Sequence, residues 1–176
     1  MIVKLFCSFF IAFFLLAQAG QIKAEYTEKN IGDWFALFDD GNPGVPATAF
    51  VAKSSFSSHM TKVTLDSATV HVGCQGGKNF TFFAFDTPLS SEKGKKFNVQ
   101  YQYDEGKMKN GKWNLTANSQ SLMVPNPESF IKDLLKARLL LVKVEKADSS
   151  EAIESYFNVS DLPESFKFVR ENCAWK

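Results

Sequence analysis

The sequence predicts an α+β fold: mainly an antiparallel β-sheet or sandwich with two helices, the C-terminal one tied to the sheet by a disulfide. Three observations lead there. From Val63 to Asn118, apolar and polar residues alternate with the period of half-buried strands. Two later stretches, opening at Asn126 and Asp161, change to helical spacing. The third observation is an export signal, which leaves the mature chain one pair of cysteines.

Residues 1–19, MIVKLFCSFFIAFFLLAQA, read as a secretory signal peptide. Lys4 supplies the charged start, Leu5–Leu16 the apolar run and Ala17-Gln18-Ala19 the small-residue cleavage pattern. The run of about 12 residues is shorter than the ~20 that span a bilayer, so no stable membrane span is expected after cleavage. Ala24 marks a second possible cleavage site. About 157 residues remain, the size of one domain able to bury its own core. Residues 20–30 read as a flexible polar lead-in and 31–176 as a single globular domain. Once Lys4 is gone, 19 basic residues balance 19 acidic ones. Nothing in that balance suggests the strongly basic face a nucleic-acid partner would require.

Trp34–Asp39 reads as a short aromatic strand ended by the turn cluster Asp39–Pro46, and ATAFVAKS as a second strand. In ATVHVGC, Val70, Val72 and Cys74 share an inward face. NFTFFAF is apolar on both faces, Phe80 and Phe82 on one and Phe83 and Phe85 on the other, the pattern of a central strand covered on both sides. KFNVQYQYD points Phe97, Val99, Tyr101 and Tyr103 inward, and KWNLTANS does the same with Trp113, Leu115 and Ala117. Between them, Glu105-Gly106 and Asn110-Gly111 are turn signals for an antiparallel hairpin. The lysine-rich loops TPLSSEKGKK and EGKMKNGK then fall at opposite ends of the sheet.

In VPNPESFIKDLLKA, Asn126 suits the N-cap, Pro127 the first helical position and Glu128 the positive end of the helix dipole. Phe130, Ile131, Leu134 and Leu135 form its buried stripe. ARLLLVKVE and EAIESYFNVS return to strand, the latter with Ile153, Phe157 and Val159 on one side. A last helix opens at Asp161-Leu162-Pro163 and carries Phe166, Val169 and Cys173 along one face. Cys7 leaves with the signal, so Cys74 and Cys173 remain and read as a disulfide; the alternative is two separately buried thiols. A bridge there would close a loop of 99 residues.

The ordered landmarks VHVGCQGGKNFTFFAF, YQYDEGK before Trp113, SFIKDLLKA, LLLVKV, FNVSDL and VRENCAW resemble the periplasmic type VI secretion-associated VasI/TagO-like proteins. The counterparts are Cys74, Tyr103 with Asp104, Trp113, Phe157 with Leu162, and Cys173 with Trp175, over residues 66–176. Before that span the match is confined to Trp34 and Asp39. Gln102 stands where that family has arginine, and Asp161 where it has glycine. The resemblance implies an exported bacterial accessory protein, periplasmic or secreted, and carries over no catalytic residues.

Residue chemistry agrees with a non-enzymatic binding protein. The histidines, His59 and His71, have no spaced partners for a metal site, and neither metal nor cofactor is expected. No G-x-S-x-G is present, and Gln75–Lys78 lacks the rest of a P-loop and reads as a turn. The outward row Asn98, Gln100, Gln102 and Asp104 beside Asn114, Thr116 and Asn118 offers an amide-rich face, with Lys107, Lys109 and Lys112 at its flank. Such a face suits a protein or peptidoglycan partner, though a solvated sheet face shows the same alternation. Two alternatives are a small secreted hydrolase using Asp104, Asp86, Glu105 and the histidines, and a carrier of an apolar ligand, suggested by thirteen phenylalanines beyond the signal. Asn79, Asn114 and Asn158 head N-x-S/T sequons, usable for glycans in a eukaryotic source.

Overall fold

The computed structural model describes residues 26–56, 68–90, 94–145 and 152–173. The signal segment, His59 and Trp175 lie outside the described residues. In chain order the strands are β1 (Tyr26–Ile31), β2 (Trp34–Asp39), β3 (Thr48–Ser54), β4 (Ala68–Gln75) and β5 (Lys78–Phe85), then β6 (Lys96–Tyr103), β7 (Lys109–Leu115) and β8 (Ser121–Met123). Helix α1 (Pro127–Leu134), strands β9 (Leu139–Glu145) and β10 (Ala152–Asn158), and helix α2 (Leu162–Asn172) complete the described elements. All ten strands join one sheet, in the order β1-β2-β3-β4-β5-β8-β7-β6-β9-β10, and every pairing is antiparallel.

The sheet rolls back on itself at β3. That strand pairs with β2 as far as Ala52↔Phe35, and two residues past its end Phe56 meets the opposite edge strand β10, the Phe56 N–H donating to the Tyr156 carbonyl at 2.9 Å. The rolled interior is filled by Trp34, Phe83, Trp113, Phe157 and Phe166, each at most 2% exposed. Phe83 stacks on Trp113 at 5.1 Å and meets Phe157 edge-on at 5.6 Å. Phe130 brings α1 onto this cluster, its ring 5.8 Å from that of Trp113.

Both helices begin where the sequence placed them. The Asn126 side chain accepts from the Ser129 N–H at 3.3 Å, with Pro127 opening the helix behind it. Asp161 holds the N-cap position of α2 without capping it, because its carboxylate is engaged by side chains across the fold. Cys173, just past α2 and 8% exposed, is bonded to Cys74 of β4, their Cα atoms 6.3 Å apart. The bridge ties the end of the C-terminal helix, which packs over β2 and β3, to β4.

Four expectations need correction. Part of the polar lead-in, residues 26–30, belongs to edge strand β1; one paired side is enough to hold it, so it needs no apolar alternation. Asn110-Gly111 lies inside β7, with Asp104–Met108 making the turn. Glycine is required there because a Cβ at Gly111 would come within 2.7 Å of the Trp113 indole nitrogen. The strand also stops at Leu115, which leaves Ala117 exposed. Finally, β5 is central but buried on one face: Thr81, Phe83 and Phe85 point into the core. Phe80 and Phe82 stay half-buried on the other face among neighbouring rings.

Candidate functional site

The amide-rich row divides into two parts. Asn98 and Gln100 stand on β6 opposite Lys112 and Asn110 of β7, and with Glu145 of β9 they line a shallow hollow of about 480 Å³. Asn114 is exposed farther along β7, opposite Lys96. The other members are spent on local structure. The Gln102 side chain donates to the Gly106 carbonyl at 2.7 Å, and Thr116 and Asn118 bond to each other and to Ser121 around a turn. Asp104, at φ +48°, accepts the backbone N–H groups of Arg138 and Leu139, both at 2.9 Å. Those two bonds, Arg138 first, hold its carboxyl below the ordinary range. Asp104 therefore anchors the start of β9.

Among the sequon asparagines, Asn114 is exposed, the Asn158 side chain accepts from the Ser160 N–H and hydroxyl, and the Asn79 amide reaches Glu128 at 3.5 Å. The carboxylates of the hydrolase alternative are not joined to His71. Asp104 closes β6, with three strands between it and β4 in the sheet order, while Asp86 and Glu105 are exposed on separate loops. No group of three potential metal ligands occurs among the described residues.

The larger concavity is one that sequence reasoning missed. Where β2 and β10 part from β3, a cleft of about 870 Å³ opens, lined by residues from the β1–β2 turn, β3 and the segment after it, β4 and the end of β10. The turn is a two-residue hairpin connection, Gly32-Asp33, with Gly32 at φ +59° as a tight turn of this length requires. It projects Asp33 into solvent, the side chain 80% exposed. Phe35 is 36% exposed and Phe56 45%, so each presents its ring to the opening. The small and hydroxyl side chains Ala52, Ser54 and Thr69, the two hydroxyls 3.3 Å apart, and Asn30 and Asn158 complete the lining.

The charged wall of this cleft is built around Lys53. Its position on β3 shares the inward parity of Ala49 and Val51, and the residue is only 8% exposed. The ammonium is satisfied by Asp161, at 3.0 and 3.3 Å from the two carboxylate oxygens, and lies 5.5 Å from the centre of the Trp34 ring. Trp34 Nε1 also donates to Asp161, at 2.9 Å, whereas Asp33 is 3.5 Å from the ammonium. Burial pushes the Asp161 carboxyl up, but the Trp34 and Lys53 hydrogen bonds outweigh it and hold the group below its ordinary value. A lysine at an inward register position was the signal in the sequence.

Opposite stands His71, half-buried on β4, as its place between Val70 and Val72 implied. Its ring stacks on Phe82 at 4.3 Å and lies 5.4 Å from Phe50, and Nδ1 is buried without a partner. Burial lowers its pKa to about 4, so the imidazole is neutral at pH 7. No helix among the described residues is long and apolar enough to cross a membrane. The disulfide fits an oxidising compartment. Comparison with protein-family models, with curated proteins and with solved structures finds no match for this chain.

Proposed function

We propose that the chain is an exported, non-enzymatic accessory or binding protein of the bacterial cell envelope, periplasmic or secreted, that works through a surface. The observation that carries this reading is the fork cleft. Strands hold two exposed rings beside short amide and hydroxyl side chains, an arrangement suited to contact. The polar hollow at Asn98 and Gln100 is a second contact surface, and the cleft's buried charges are spent on one another. Export is supported by the signal-like residues 1–19 and by the disulfide. Association with type VI secretion is proposed on the ordered landmarks alone, and the partner is a protein or peptidoglycan of the envelope.

The test is site-specific photo-crosslinking in envelope extract, with Phe56→benzoylphenylalanine for the cleft and Gln100→benzoylphenylalanine for the hollow. A discrete adduct at either position, competed by unlabelled protein, is the expected result. Absence of an adduct at both overturns the reading.

A further inference from the structure

The fork offers three kinds of contact side by side. First, among the described residues, the end of β3 and the segment after it have no strand partner between Ala52 and Phe56 on the side facing the fork. Ser55 donates to Ala68 of the β4 side and Phe56 to Tyr156 of the β10 side, so by the alternation of an antiparallel ladder the backbone groups of Ser54 face the opening. Second, Phe35 and Phe56 flank this stretch with exposed rings. Third, the charge is negative. Lys53, Asp161 and Asp33 sum to one negative charge, Lys53 makes its shorter bonds to Asp161, and Asp33 remains largely exposed. Neutral His71 adds no opposing charge at pH 7.

We infer that the fork cleft binds an extended segment of a partner protein, pairing its backbone with Ser54 and setting a lysine or arginine side chain against Asp33 between the rings of Phe35 and Phe56. Unpaired strand backbone selects an extended peptide over a sugar, because it supplies a donor and an acceptor at the spacing of a peptide. The rings contribute cation–π attraction and cover the aliphatic stem of the basic side chain. This inference rests on the proposed surface role and names the partner chemistry at that surface.

Binding is measured by fluorescence anisotropy on the full disulfide-bonded chain. The probe is a capped, labelled octapeptide of threonine and valine with one central lysine. Two control peptides carry glutamate in place of that lysine, or an N-methyl group on its amide. The expected result is a preference for lysine over glutamate of about tenfold or more at low salt, falling as salt rises. Asp33→Asn should bring the two peptides within about twofold of each other. Phe56→Ala and N-methylation should each weaken the lysine peptide severalfold. Both substitutions are at exposed side chains, and far-UV circular dichroism checks that the fold is kept.

Equal binding of the lysine and glutamate peptides overturns the inference, as does indifference to N-methylation. So does displacement of the peptide by an N-acetylglucosamine–N-acetylmuramic acid disaccharide, the result a glycan site would give. If the Phe56 photo-adduct forms and the peptide preference is absent, the surface role stands and the peptide assignment fails. Absence of the peptide preference and of the adducts at both Phe56 and Gln100 removes both.

Discussion

At the scale of single residues, His71 and Lys53 show opposite ways of placing a polar group in an apolar setting. His71 has its Nδ1 buried without a partner and its pKa lowered to about 4 by desolvation, whereas the unfolded chain keeps the ordinary 6.5. Between those values the unfolded state binds more protons. The contribution to stability is therefore whole above pH 6.5 and is lost as pH falls toward 4, by up to about 3 kcal/mol. Urea midpoints at pH 7, 5.5 and 4 should show that decline in the wild type, and His71→Phe should flatten it; a variant with the same slope would assign the window to other groups. Lys53, by contrast, is fully answered by Asp161. Asp161→Ala leaves that ammonium with Asp33 at 3.5 Å and deprives the Trp34 N–H of its acceptor, at an expected cost of about 2–4 kcal/mol. Lys53→Met removes the charge that needs an answer and should cost about 1 kcal/mol or less. Equal losses in chemical denaturation would mean that the ion pair itself, not its completion, holds the fork.

At the scale of elements, strands and helices with one strongly apolar face were legible, and those held by backbone pairing alone were not. Phe166 and Val169 lead to Cys173 at helical spacing, and the structure turns all three inward. Tyr26–Ile31 has no such pattern, because an edge strand needs only the ladder of β2. Three-residue β8, wedged between β5 and β7, is too short to show a period. Asn110-Gly111 misled for a different reason: the dipeptide has hairpin-turn chemistry, but its glycine makes room for the Trp113 indole. The tie between α2 and β4 gives the element-scale prediction. Cys173→Ser should leave far-UV circular dichroism close to wild type, since α2 keeps its packing on β2 and β3. It should lower unfolding free energy by a few kcal/mol, with about 4–5 as the chain-entropy ceiling for a 99-residue loop. An unchanged midpoint would show that packing alone fixes the helix.

At the scale of the whole molecule, outward alternation identified Asn98 and Gln100, yet it could not reveal that Gln102, Asp104, Thr116 and Asn118 are spent on turns. Still less could it reveal the fork, whose walls come from residues 30–35, 52–56, 69–71 and 158 and exist because the last strand returns to the third. Alternation encodes which face is buried; it does not encode strand order. The same closure makes the C-terminal elements structural for the N-terminal half. Asp161 completes Lys53, the Ser165 hydroxyl donates to the Ile31 carbonyl at 3.2 Å, and α2 packs on β2 and β3. A chain ending at Ser160 loses the bridge, the nearer partner of Lys53 and the helix that packs on β2 and β3. It should be molten, binding the dye ANS with no cooperative urea transition. A chain whose mature part begins at Gly32 loses polar edge strand β1, whose burial is slight apart from Ile31 and one further residue, and should still unfold cooperatively at a lower midpoint. If both truncations unfold cooperatively, the sheet holds its own core and α2 is an appendage. If both are molten, β1 contributes more than its exposed side chains imply.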